Sequence, residues 1–245
     1  MSVVDASVPT LPGALDSLFA HAADRAAPPL ERIRFMANCA SALDELYMSG
    51  DAGRRPDLAA DWLRALTAEA VPTLTAAGVT LVDWTDLPTA RADRLSGYFR
   101  DRVLPVLTPM AVDRARPFPH VRGLALHLAV LLDNPDGGPH LFASVRMPTT
   151  TPRFLPVGSG RYLPVEDLVV RHLPDLFPGM RLVDWHAFRV TRSAPGTPPV
   201  RLEVDADVCD RALDLLLDEL EVRPEDVLRL SGLLDLSAFR ELYTG

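Results

Sequence analysis

Arginine is the residue type whose placement in this sequence most suggests chemistry. Arg146, Arg153, Arg189, Arg192 and Arg201 all fall on or beside short apolar runs of period near two in the second half of the chain. A guanidinium offers a planar fork of donors that matches phosphate and carboxylate oxygens. Arg146, Arg153, Arg189 and Arg192 therefore form a candidate anion patch. The other reading is a set of surface arginines, some paired with carboxylates, where each pair contributes little. Conventional catalytic patterns are missing. His21, His120, His127, His140, His172 and His186 are dispersed, with no HExxH and no pair at i,i+4 spacing, so none is given a catalytic role. Cys39 and Cys209 have no CxxC partner and no histidine at zinc-ligand spacing; they read as reduced core cysteines, and no metal site is expected.

Other motifs have bland readings. There is no GxSxG elbow, and the glycines of Asp136-Gly137-Gly138 and Gly158-Ser159-Gly160 lie between predicted strands, as hairpin turns do, rather than before a helix. The carboxylates Asp44, Glu45, Glu166, Asp167, Glu225 and Asp226 fall in helices or near helix starts, where a solvated face is expected. All 25 Lys-plus-Arg residues are arginine. Without lysine, a Walker-type P-loop, a protein-kinase site and a Schiff-base enzyme are excluded. A net charge of -8 argues against a general nucleic-acid binder. No segment approaches the roughly 20 apolar residues of a membrane span, and no basic leader precedes Asp5, so the cytoplasm is the default location.

The elements that must position these residues fall into two groups. Leu11, Leu15, Leu18 and Phe19 repeat at helical spacing. Pro28-Pro29 opens a second helix with Leu30, Ile33, Met36, Ala40, Leu43 and Tyr47 on one face, ending near Gly50. A third carries Leu58, Trp62, Leu66 and Ala70, and a last one runs from Thr89 to Val103. Beyond Pro105 strands are predicted at 124–132, 141–147, 154–157, 188–191 and 200–204, with helices over 164–177 and 208–220. The order strand 200–204, helix, strand 227–230 predicts a split βαβ unit. The expected fold class is α+β, a helical bundle over 1–104 followed by a mixed α/β head over 105–245.

Several segments, in order, resemble the type-1 polyphosphate kinases. Pro29-Leu30-Glu31-Arg32-Ile33-Arg34-Phe35 is similar to that family's P-L-L-E-R-L-K-F, and Ser41-Ala42-Leu43-Asp44-Glu45-Leu46-Tyr47-Met48 to its S-N-L-D-E-F-F-M. Leu107-Thr108-Pro109-Met110-Ala111-Val112-Asp113 with Pro117-Phe118-Pro119 resembles L-T-P-L-A-V-D-x-x-H-P-F-P, the most specific stretch. Val145-Arg146-Met147-Pro148 looks like V-K-V-P, Pro152-Arg153-Phe154 like P-R-F, and Leu176-Phe177-Pro178-Gly179 like L-F-P-G. Phe188-Arg189-Val190-Thr191-Arg192 and Val200-Arg201-Leu202-Glu203-Val204 complete the series.

The resemblance implies a helical domain that helps hold the ATP base and a head domain used in dimer contacts. In the family two phospholipase-D-like domains follow, carrying the phosphorylated histidine and phosphate-binding arginines. This sequence ends at Gly245, just after Leu233-Leu234-Asp235-Leu236, similar to the G-P-L-D-L that closes the head, so the nucleophile is expected to be absent. Ala42 stands where the family has its nucleotide-contacting Asn and offers no amide. Ser193 to Pro199 replaces a long acidic helical insertion. The expectation is a catalytically inactive polyphosphate-kinase-like binding, dimerisation or regulatory module, acting as a homodimer or with a partner such as a full-length kinase. One alternative is the ATP-binding half of a split ATP:polyphosphate phosphotransferase, using ATP and magnesium only when a catalytic partner is supplied. Another is a scaffold recruited to an anionic ligand or to unrelated chemistry. No cofactor is expected of the chain alone.

Overall fold

The second helix shows how the fold is organised. In α2 (Pro29–Met48) Pro29 sits in the first turn, where its missing N–H costs nothing, and Ile33, Met36, Ala37, Ala40, Leu43 and Tyr47 form a buried stripe. That stripe meets α1 (Leu11–Ala23) and α3 (Pro56–Ala76), giving the expected helical layer. The structure, a computed structural model, describes residues 11–50, 56–112, 121–135, 137–138 and 140–243. The Asp113 and Pro117 to Pro119 part of the polyphosphate-kinase-like stretch lies outside them, as do His120 and Asp136.

After α3 come β1 (Thr80–Leu81) and α4 (Thr89–Tyr98), which continues as a π-helical turn over Phe99–Val103. Then follow β2 (Met110–Val112), β3 (Leu126–Leu132), β4 (Leu141–Arg146), β5 (Phe154–Gly158) and β6 (Arg161–Pro164). The chain continues through α5 (Val165–Arg171), α6 (Leu173–Leu176), β7 (Leu182–Arg192), β8 (Pro199–Asp205), α7 (Asp210–Leu220), β9 (Val227–Leu230) and α8 (Arg240–Tyr243). The main sheet has six strands in the order β2-β4-β3-β7-β8-β9, antiparallel except for β8 and β9; the expected strand-helix-strand unit is present, but its two strands pair directly in parallel, so it is a plain βαβ unit rather than a split one. A second sheet, β1-β6-β5, joins the two halves of the chain, because β1 pairs in parallel with β6. Gly160 makes this possible: with φ at 67°, an added Cβ would lie 2.5 Å from the Gly78 carbonyl oxygen.

β3 is buried along its whole length because both faces are covered. Leu126, Leu128, Val130 and Leu132 join the core shared with α2, and Ala129 and Leu131 join a second core under α7, with Phe188, Val204, Ala212 and Leu216. The α+β class expected from the hydrophobic periods is the class observed. Three strand assignments differ from expectation. β2 and β6 are only 3 and 4 residues long, too short for a period to show. β7 begins at Leu182, six residues before its predicted start, because Asp184 and His186 interrupt the apolar alternation.

Candidate functional site

Asp44 occupies the buried stripe of α2 one turn past Ala40, opposite the face of β7 and β8 that carries Arg189, Thr191, Arg201 and Glu203. Arg189 donates to both Asp44 oxygens, one bond at 2.9 Å, and its Nη1 also reaches Glu203 Oε1 at 3.0 Å. Arg201 donates to Asp44 Oδ1 and to Thr191 Oγ1 at 2.8 Å, and it pairs with Glu203, Nη2 to Oε1, at 2.6 Å, with its guanidinium carbon 4.4 Å from the Tyr47 ring centroid. The solvated face expected for Asp44 is overturned: the residue is 6% exposed. Burial alone would raise its carboxyl, yet the bonds and charges of Arg189 and Arg201 hold it below the usual carboxylate range.

Arg153 forms a second node. It donates to Glu166 Oε1 at 2.6 Å and to the Asp235 carbonyl at 2.8 Å, and its own N–H donates to Glu241 Oε2 at 2.8 Å. Glu166 is also buried, against the surface reading. Asp235 lies 3.8 Å from Arg189, so the two nodes form one seam from the helical layer through the sheet to the C-terminal segment. Asp167, beside this seam, is pushed up to about 7 by burial and by the charges of Glu166 and Asp83, against the pull of Arg153.

The four arginines of the anion patch are thus separated. Arg153 and Arg189 face carboxylates inside the protein, and Arg192 donates to the carbonyls of Val121 and Thr197, pinning the β7–β8 loop. Arg146 lines a cavity of about 310 Å³, with His127, Ser144, Thr108, Thr149 and Thr150. Ala42 presents only a methyl group, half-buried against the main core. One turn before it Asn38, with Ser41, accepts from Arg240 of α8, at 3.4 and 2.8 Å. Cys39 is a free, buried thiol pushed up to about 12 by burial; Cys209 is free and half-buried.

Sequence spacing does not reveal one further constellation. One donor atom each from Asp184, His186 and Cys209 lie within 4.8 Å of one another, as do donors from His186, Asp205 and Asp207. Such a nitrogen, sulfur and oxygen set is one that divalent transition metals accept. His186 Nε2 already accepts the Cys209 N–H at 3.2 Å and lies 3.1 Å from Asp184 Oδ2. Burial pushes Asp205 up to about 6, opposed by the Ala187 N–H and reinforced by the Asp207 charge. The sequence shows only Asp184-x-His186 on β7 and Asp205-x-Asp207 running off the end of β8, with nothing to say that the two meet.

Taken together, these features define an α+β protein whose helical layer is locked to a mixed sheet by buried charge, with a cavity bordered by Arg146 at the sheet's corner. Residues 90–195 match the polyphosphate kinase middle domain. The chain is 39% identical over 288 residues to the polyphosphate kinase of Mycobacterium marinum and 38% over 292 to that of Mycobacterium tuberculosis, each match covering 92% of this chain and 39% of the relative. The crystal structure of polyphosphate kinase from Porphyromonas gingivalis superposes with a TM-score of 0.77 over 93% of this chain and 39% of that one, at 24% identity, a likeness of fold. The chain therefore belongs with the polyphosphate kinases and spans about two fifths of the length of the relatives it matches. The matched span in the M. marinum protein is longer than 92% of a 245-residue chain can supply, so that relative carries insertions that are missing here.

Proposed function

We propose that this chain is a polyphosphate-kinase-like module that works by binding, as a dimerising or regulatory partner of a full-length polyphosphate kinase in the cytoplasm, and is not catalytic alone. In this reading residues 1–104 form the helical layer and 105–245 the head. The observation that carries it is the seam: Arg153, Arg189 and Arg201 are neutralised within the protein by Glu166, Asp44 and Glu203, which makes them architecture rather than a phosphoryl-transfer site. Ala42 and the lack of lysine support it, since neither offers a contact to a nucleotide. The test is ATP-dependent polyphosphate synthesis by the purified chain, beside co-elution with a full-length kinase. Co-elution with no turnover by the chain alone is expected; robust turnover by the chain alone would overturn the reading.

A second reading makes the chain the helical and head part of a split phosphotransferase, with ATP and magnesium held only in the complex. It is favoured by a match that covers 39% of each relative and keeps a helical layer clamped to the sheet. Mixing the chain with a polypeptide carrying the remaining three fifths should then raise synthesis, and no gain counts against it.

A further inference from the structure

The cavity at Arg146 is built on the opposite face of the sheet from the seam. His127 on β3 stands directly across from Arg146 on β4, and Ser144 follows two residues away on the same face. Further along that face Ala129, Leu131 and Phe142 pass into the core under α7, leaving the polar corner as a cavity of about 310 Å³ with Thr108, Thr149 and Thr150 on its walls. That volume is at the small end for ligand sites.

Two of its polar atoms are shut from solvent and have no hydrogen-bond partner among the described residues: His127 Nε2 and Arg146 Nε. A buried polar atom left without a hydrogen bond is costly, so a pair bordering one cavity calls for an occupant. His127 is 5% exposed, and its Nδ1 lies 3.1 Å from Ser144 Oγ. Burial and the Arg146 charge push the imidazole down to about 4, so it is neutral near pH 7. When the Ser144 hydroxyl donates to Nδ1, Nε2 carries the proton, a donor without charge on a residue that lines the cavity. Arg146 supplies a fixed positive charge, and the threonine hydroxyls turn as required.

Among the described residues the cavity wall includes no carboxylate. A contrasting cavity of about 340 Å³ borders Arg201 and Arg64, but there Asp61, Glu225 and Asp226 share the wall. An excess of donors around one cation selects an anion with several acceptor oxygens, and hydroxyls added to the guanidinium suit a tetrahedral group better than a planar one.

We propose that Arg146, His127 and Ser144 form a binding site for a phosphate-type oxyanion, either free phosphate or the terminal phosphate of a short phosphoanhydride. Arg146 holds the charge, His127 Nε2 donates, and Ser144 sets the imidazole tautomer. The site uses residues outside the seam and stands whether or not the chain partners a kinase.

Isothermal titration of the full chain with inorganic phosphate, pyrophosphate and acetate at fixed ionic strength tests it. Saturable binding of phosphate or pyrophosphate is expected, weakened at least tenfold in Arg146→Met and unchanged in Arg223→Met, which removes a surface arginine paired with Glu225 and Asp226. Ser144→Ala, which frees the tautomer, is expected to weaken binding less than Arg146→Met. Tighter pyrophosphate binding supports a phosphoanhydride end, and equal binding supports free phosphate. No saturable binding of either, binding that survives Arg146→Met, or acetate binding as tight as phosphate would overturn the proposal.

Discussion

Arg189 and Arg146 stand on the two strands that flank β3, on opposite faces of one sheet, and their surroundings are opposite in kind. Arg189 is met by Asp44 and Glu203 and is almost wholly enclosed; Arg146 has a buried nitrogen with no partner and borders open space. The same residue type in the same strand context therefore serves cohesion in one place and offers recognition in the other. What separates them is whether the layer across the face brings a carboxylate. α2 brings Asp44, whereas α7 stops short of the corner at Arg146.

The largest expected effect comes from removing the carboxylate that makes the seam. Asp44→Ala leaves two guanidiniums buried beside too little negative charge and should cost about 3–5 kcal/mol in urea unfolding. A loss near 0.5 kcal/mol would mean that water reaches the seam and the contrast is false. Arg189→Lys keeps the charge but cannot bridge Asp44 and Glu203 with one planar fork; about 2 kcal/mol should be lost. Equal stability would show that position of charge, not geometry, holds the layers.

Titration sharpens the same comparison. The folded-state pKa of Asp44 is depressed, so its contribution is present above the unfolded value of 3.8 and is lost as pH falls through the folded value. Asp167 has the reverse sign. Its folded pKa is raised to about 7, so the contribution is full below 3.8 and declines as pH rises through about 7. Asp167→Asn should thus gain melting temperature over the parent between pH 5 and pH 8. Parallel curves would remove Asp167 from the account. The smallest loss is expected at the cavity: Arg146→Met removes a buried nitrogen that has no partner among the described residues and should lower stability by no more than about 0.5 kcal/mol. A larger loss would place Arg146 with the seam.

Much of the fold was legible because its helices are long and periodic. Proline at 29, the stripe from Ile33 to Tyr47 and the β8-α7-β9 order were all readable from spacing. Strands β2 and β6 were not, being set by what they pair with rather than by their own pattern. Nor was the seam. Asp44 is 145 residues from Arg189 and 157 from Arg201, and on a helix with acidic neighbours nothing local separates a buried carboxylate from a solvated one. The arginines were found by type and strand context, but their division between seam and cavity depends on which layer covers each face.

That separation along the chain also bears on assembly. A contact joining residues 44 and 189 closes a very long loop, and folds dominated by such contacts form slowly. During synthesis α2 emerges well before β7, and until Arg189 arrives Asp44 lacks the partner it has in the folded protein. Docking of the helical layer with this charge matched therefore waits until both arginines have been made.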